Sequence, residues 1–347
     1  MTEANRRRIP PEIVEEILCK LPVMSLNRFR CVSKSWQSLI SDHCFVRKHL
    51  SHAAEPNNLS QKALILHNTA GSGNWKIHAS YDGLLCIHVD RSVYIWNPCL
   101  KTHRKICDGL ICTCSFGFGY DSRRDDYKLC KLSYLWRQKI TETEVYSLGS
   151  GSWTKCDNFP QHYSPHYSTS VFINGSIHWL ALGEKPKPYS FALISFDLSD
   201  NKYREVPLPE CWLKYPHNSL DVKLCVLKGM LCVIVDWKSC FVLWAMKDYN
   251  LDQKSWTKIL DIPLDLDLAF SVYYILADVK PFYMYENGEV LIGVSSERGT
   301  ELLICKDNSV LFRQIIFPRQ SLIGHGFVHV ESLISPLPLE NGEQQIN

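Results

Sequence analysis

The side chains that could do chemistry in this sequence are its cysteines and histidines, and their spacing does not assemble a reactive centre. Cys107, Cys112 and Cys114 come nearest to a zinc site, but they lack the paired C-x2-C form that presents two thiolates on one turn. His162, His166 and His178 are neighbours in sequence. His178 falls in a strand pattern and the other two in a Pro-containing loop, so a shared metal is not expected. There is no Walker-type phosphate loop, no Gly-x-Ser-x-Gly and no His-Glu-x-x-His. Gly117-Phe118-Gly119 lacks the third glycine and following helix of a dinucleotide site. It suits strands that approach closely. No catalytic residue, metal or cofactor is expected.

Composition narrows the class further. The chain has 347 residues, 46% of them hydrophobic, with 38 basic against 36 acidic side chains and a net charge of +2. That excludes a generally polycationic nucleic-acid binder. No apolar run is long enough for a transmembrane helix, and the polar, basic start is not expected to act as a secretory signal. Arg6-Arg7-Arg8 reads as a solvated arm. The 15 cysteines are odd in number and many sit inside apolar runs, such as Cys86, Cys225 and Cys232. There they act as small buried hydrophobes, which suits a reducing cytoplasm or nucleus.

The elements fall into two kinds. Residues 9–50 read as helices. Pro10-Pro11 opens the first, with Glu12, Glu15 and Glu16 near its positive end. Ile13, Ile17 and Leu21 form an apolar stripe flanked by Val14 and Leu18, and Pro22 stops the helix. A short helix carries Leu26 and Phe29. Ser33 caps a third with Trp36, Leu39 and Ile40, and Asp42 a fourth with Phe45, Val46 and His49. So small a unit makes a poor independent core. It is either a cap on the following domain or a docking module completed by a partner. Residues 51–62 read as a linker and 338–347 as a flexible tail.

Residues 63–337 read as short strands. Turn pairs Asp82-Gly83, Asn174-Gly175, Lys228-Gly229 and Asn287-Gly288 recur between apolar runs, Lys228-Gly229 being the weakest signal. The fourth strand of each unit opens at Arg104, Trp153, Tyr203, Trp256 and Phe312, spaced by 49, 50, 53 and 56 residues. A period near fifty with four strands per unit is the kelch-like propeller pattern. Trp153 and Trp256 then pack blades, while Trp136 and Trp212 fall near loops. Five units fit between Lys76 and Phe317. Ala63–His67 and a piece within 326–334 are left over at the two ends. The favoured fold is therefore mostly β, a small N-terminal α module followed by a six-bladed propeller whose last blade is closed by both ends. Five or seven blades, or an open β-sandwich, are the alternatives.

Ile9 through Leu26, followed by Arg28-Phe29-Arg30-Cys31-Val32-Ser33-Lys34-Ser35-Trp36, resembles an F-box (domain 5–50) almost without gaps. Ile9 replaces the family's usual Leu, and His43-Cys44 stands where Pro often precedes Phe45. The resemblance implies docking on a Skp-type adaptor and, through it, a cullin ubiquitin ligase. The implied docking face is Ile9, Pro10, Ile13, Ile17, Leu21, Pro22, Leu26, Cys31, Val32 and Trp36, with Val14, Leu18 and Leu39 packing inside the module. Gly83-Leu84-Leu85-Cys86, Trp96-Asn97-Pro98, Phe116 to Asp121, Asp126-Tyr127-Lys128, Val145-Tyr146-Ser147 and His178-Trp179 resemble the F-box-associated domain of plant F-box proteins, including S-locus F-box relatives.

Together these imply a non-catalytic substrate receptor of an SCF-type ligase, with an unknown protein substrate, no nucleic acid and no membrane. The alternatives are an interaction protein outside ubiquitination and a small-ligand sensor or propeller enzyme. In a propeller, first-to-second and third-to-fourth strand turns share one rim and here are short. The other connections are long and hold Tyr163, His166, Tyr167, Tyr189, Trp212 and Tyr215, the expected substrate-binding residues.

Overall fold

The computed structural model describes residues 9–55, 58, 61–68, 75–108, 114–135, 137–165, 170–183, 191–209, 221–237, 240–249, 256–263, 278–296, 299–318 and 323–337. Four helices come first: α1 Pro11–Cys19, α2 Val23–Phe29, α3 Lys34–Ser41 and α4 His43–Ala54. Their starts follow local chemistry. Ser33 Oγ accepts from Trp36 N at 3.2 Å, and Asp42 Oδ1 accepts from Cys44 N and Phe45 N at 2.9 and 3.1 Å. Pro10 and Pro22 occupy the caps of α1 and α2 and offer no side-chain acceptor. The fourth helix runs through Ser51–Ala54, so the segment read as linker is partly helical.

The rest is a ring of antiparallel sheets. The first blade is β2 Trp75–Tyr81, β3 Leu84–Val89, β4 Ser92–Asn97 and β5 Thr102–Cys107; β1, Lys62–Asn68, lies before it. The second is β6 Cys114–Asp121, β7 Asp126–Leu135, β8 Ile140–Ser147 and β9 Ser152–Lys155. The third holds β10 Tyr163–Pro165 and β11 Val171–Ile173, both paired to β12 Ser176–Gly183, then β13 Phe191–Asp197 and β14 Lys202–Val206. The fourth is β15 Asp221–Leu227, β16 Met230–Trp237, β17 Cys240–Met246 and β18 Trp256–Pro263. The fifth is β19 Asp278–Met284, β20 Val290–Ser296, β21 Gly299–Lys306 and β22 Ser309–Pro318.

Both ends then meet. β1 pairs antiparallel with β23, Ile323–Val330, matching Lys62 to Val330 and Ile65 to Phe327. β23 touches both β19 and β2, so it fills the inner place between the fifth and first blades. A sixth full blade is not confirmed: among the described residues this sheet has two strands.

The core is divided into layers between successive blades. Phe118 and Leu129 pack with Leu84 and Ile95, Trp179 and Ile194 with Cys130 and Leu132, and Leu243 and Leu260 with Ile292 and Leu303. Each such side chain contributes about 1.5–3 kcal/mol on burial. Gly119 shows how closely the inner strands approach. A Cβ there would lie 2.1 Å from the Phe172 ring, so the glycine admits the third blade. The expected two-residue turns form at Asp82-Gly83, Asn174-Gly175 and Lys228-Gly229, all at positive φ. At Asn287-Gly288 only Gly288 has positive φ, and the connection is longer.

Candidate interaction surfaces

The helical module has an inside and an outside. Leu18, Val23, Leu26, Ile40 and Phe45 form its core, with Val14, Leu21, Trp36 and Leu39 packed against it. On the other side Ile13 and Ile17 are 47% and 51% exposed, Ile9 is 60% and Val32 62% exposed, and Pro10, Pro22 and Cys31 are exposed as well. The structure therefore brings seven of the ten expected residues onto the surface. Leu21 and Trp36 are half-buried at its edge. Leu26 is fully buried and does not join that face. Met24, 60% exposed, does. Two residues apart on a helix point to nearly opposite sides, so an inward Leu26 turns Met24 outward.

The module is seated on the propeller through α4. Arg47 donates to Tyr127 Oη at 3.0 Å and to Asp125 at 2.9 Å, and its guanidinium lies 4.1 Å from the centre of the Tyr120 ring. His43 Nε2 is 3.1 Å from Asp125, and Tyr127 Oη donates to Asp82 at 2.8 Å. Burial pushes the Asp82 carboxyl up to about 6, against the opposing pull of the Tyr127 hydrogen bond and Arg47.

The segment after β23 completes the seat. Leu333 enters the helical core, and Asn97 Nδ2 donates to the Ser332 and Ile334 carbonyls at 2.9 and 2.8 Å. Asn97 Oδ1 meanwhile accepts from Cys99 N and Leu100 N, whose side chains pack on the same core. Asp82 and Gly83 lie between β2 and β3, Cys99 and Leu100 between β4 and β5, and Asp125 between β6 and β7. All are first-to-second or third-to-fourth turns, so the helices sit on the short-turn rim.

Other motif residues tie neighbouring blades together on that rim. Lys128 donates to Asp121 Oδ2 at 2.7 Å and to the Leu198 carbonyl at 2.6 Å. Arg124 donates to the same carboxylate and to the Ser199 carbonyl. These bonds hold the Asp121 carboxyl below its ordinary range although burial alone would raise it.

On the opposite rim Tyr163 is half-buried, packs on the third blade and donates to Glu205 at 3.1 Å. His166, Tyr167, Tyr189, Trp212 and Tyr215 lie outside the described residues, as does Trp136. His178 is buried in β12 and shares a hydrogen bond with Tyr249 Oη. Trp153 and Trp256 pack in the inter-blade layers, and Trp256 Nε1 donates to the Pro207 carbonyl at 2.7 Å. Among the described residues no group of three ligating side chains could hold a metal, and no helix is long and apolar enough to cross a membrane.

A family model described as the F-box associated beta propeller domain matches residues 30–336, and one for the F-box domain matches residues 7–48. The chain belongs to the F-box-associated propeller family. This F-box protein is 28% identical over 356 residues to the F-box/kelch-repeat protein At3g23880 of Arabidopsis thaliana, covering 89% of this chain and 96% of that one. It is also similar to the F-box protein CPR1 of Arabidopsis thaliana, 25% identical over 308 residues and covering 73% of each. The F-box of this family member is the α1–α4 module, and its propeller is the ring that carries it.

Proposed function

We propose that the chain is a substrate-receptor subunit of an SCF-type cullin ubiquitin ligase. The observation that carries this reading is the division of the F-box into two apolar faces. One, through Leu26, Phe45 and Leu333, completes a core with the propeller's own last segment. The other, through Ile13, Ile17, Met24 and Val32, is left exposed. A Skp-type adaptor covers that face and links the chain to a cullin. A protein target is held on the long-loop rim, away from the F-box. The chain performs no bond-making step itself. It raises the local concentration of target lysines near a conjugating enzyme held by other subunits. It works in the cytoplasm or nucleus, where thiols packed as hydrophobes, such as Cys86 and Cys130, stay reduced.

Co-expression with a Skp-type adaptor tests the reading. The full chain is expected to co-purify with the adaptor, and Ile17→Asp to lose it while melting at an unchanged temperature. Failure of the unmodified chain to bind, or full binding by Ile17→Asp, would reject the docking face.

A further inference from the structure

A cavity of about 290 Å3 lies on the propeller axis. All six inner strands β2, β6, β11, β15, β19 and β23 contribute to its wall, and Leu50 and Ala54 of α4 also line it. It therefore opens at the short-turn rim, where the F-box sits. A ligand inside would touch the F-box helix and the propeller at once.

The wall is aromatic and aliphatic. Tyr81, Phe118, Phe172, Leu224, Phe282 and Val328 line it. Tyr81 and Phe172 meet edge to face with centroids 4.6 Å apart. Phe282 is placed by a bulge: Pro281 pairs with Ile292 and Tyr283 with Leu291, leaving Phe282 as the extra residue of β19. Gly293 makes room for it, since a Cβ there would lie 2.5 Å from the Phe282 ring. Such a wall is formed before any ligand arrives, which limits the ordering cost of binding.

The polar groups are few and unequal. Ser170 Oγ already donates to the Phe116 carbonyl at 2.9 Å. Asp82 is engaged by Tyr127 and Arg47 at the cavity's edge. A hydrogen bond with Cys232, and then burial, raise the pKa of the Cys225 thiol, so it stays neutral. Lys280, half-buried on β19, is the one basic side chain among the described lining residues. Few, fixed polar groups in an apolar cavity are the usual form of a small-molecule site. A dry cavity of about 150 Å3 accepts a single benzene ring. This one is near twice that and suits two fused rings.

We propose that this cavity binds a small planar acid, two fused apolar rings bearing one carboxylate, with the rings among Phe172, Phe282 and Leu224 and the carboxylate toward Lys280. The proposal does not depend on adaptor binding, and its test uses the full chain alone. The probe is 2-naphthoate, compared with 2-naphthylmethanol as a neutral partner of the same shape, by calorimetric titration. Saturable binding is expected, with naphthoate about tenfold tighter than the alcohol, because a charge-assisted bond to an ammonium is lost in the alcohol. Lys280→Met should bring the two within about twofold of each other. Val226→Trp, which fills the cavity from β15, should weaken both by at least about tenfold. If that variant does not fold, methyl spectra of the unmodified chain decide instead: naphthoate should shift the Leu50, Leu224 and Val328 methyls. Absence of saturable binding, equal affinity for acid and alcohol, binding untouched by a folded Val226→Trp, or shifts confined to other methyls would each overturn the assignment.

Discussion

The Glu331 carboxylate accepts the backbone N–H of Val23 at 2.9 Å, so a side chain from the end of the propeller caps the second helix of the F-box. That helix begins after Pro22, which offers no side-chain acceptor, and its first N–H groups have no partner within the helix. A carboxylate at that end also meets the positive pole of the helix dipole. The F-box is thereby joined to the propeller by a bond that spans nearly the whole sequence.

Glu331→Ala should cost about 1 kcal/mol, the usual value of a lost helix cap. Leu333→Ala, which empties part of the F-box core, should cost about 2–5 kcal/mol. Urea denaturation of the full chain, with hydrogen exchange of α2, would measure both. Exchange in α2 should rise for Glu331→Ala while that of the third and fourth blades stays constant. Unchanged α2 exchange would show that Glu331 does not support the helix.

Much of this arrangement was legible in the sequence where the cause is local. Ser33 and Asp42 read as helix caps and act as caps, because an oxygen at that position can reach nearby backbone N–H groups. Arg104, Trp153, Tyr203, Trp256 and Phe312 all fall in fourth strands, since the repeat period fixes their place. The pairing of the two chain ends was also legible, from strands left without neighbours. The rest depends on distant contacts. Periodicity marks an apolar stripe in the F-box but not the line dividing core from surface, and the F-box resemblance puts Leu26 on the docking face and leaves Met24 out, the reverse of their exposure. Nothing near Glu331 or Leu333 in sequence announces a role in a helical module at the other end of the chain. Asn287-Gly288 resembles a two-residue turn, but the chain there keeps Asn287 at ordinary φ and takes a longer path.

Met24 is exposed and Leu26 buried, so on the proposed function changes at the two should have separable effects. Met24→Glu should weaken adaptor capture by at least about tenfold with little change in melting temperature, because it puts a charge into a face that must be desolvated. Leu26→Ala should instead lower stability by about 2–5 kcal/mol. Adaptor titration and thermal melts on both variants would check this. A Met24→Glu chain that binds normally would remove α2 from the docking face.

Closure of the ring predicts a global effect of a local deletion. Without residues 323–347 the chain lacks β23, leaving β19, β2 and β1 without the strand between them. Exposed strand edges of this kind invite association. The truncated chain should lose the cooperative melting transition of the propeller and aggregate, as followed by circular dichroism and light scattering. Retention of the transition at its original temperature would mean that β23 does not close the ring.

Stability should fall on acidification, and the sign follows from buried histidines. Burial, reinforced by Lys76 and His88, lowers His78 to about 3, and burial lowers His178 to about 4. As pH drops below the ordinary value of 6.5, the unfolded chain takes up protons that the folded chain refuses, and stability is lost down to the folded values. Asp82 acts oppositely. Raised to about 6, it keeps its proton in the folded chain between that value and 3.8, so its contribution grows as pH falls through that window. The histidines act unopposed by Asp82 above about pH 6. Melting temperature should therefore decrease from about pH 7.5 to about pH 5. His78→Phe, which keeps the ring contact with Phe116, should flatten the decrease. An equal slope in the variant would show that His78 is not among the groups responsible.

The position of the F-box also bears on the rim proposed to hold a target. Antiparallel strands alternate in direction, so the turns at Asp82, Asp125 and Ser199–Lys202 must share one rim, and Arg47 ties the F-box to the first two of them. An adaptor on α1 and α2 would crowd that side. The loops between blades leave from the other rim; Trp212 and Tyr215 come between β14 and β15 in the sequence and lie outside the described residues. Aromatic side chains on loops held by a rigid scaffold concentrate binding energy when a partner desolvates them. Combined replacement of Trp212 and Tyr215 by Ala should therefore deplete the set of proteins labelled by a proximity ligase fused to the chain under proteasome inhibition. Adaptor binding should remain intact. Lys202→Ala, on the F-box rim, should leave that set unchanged. If labelling instead fails only with Lys202→Ala, the target sits beside the F-box and the two rims have exchanged roles.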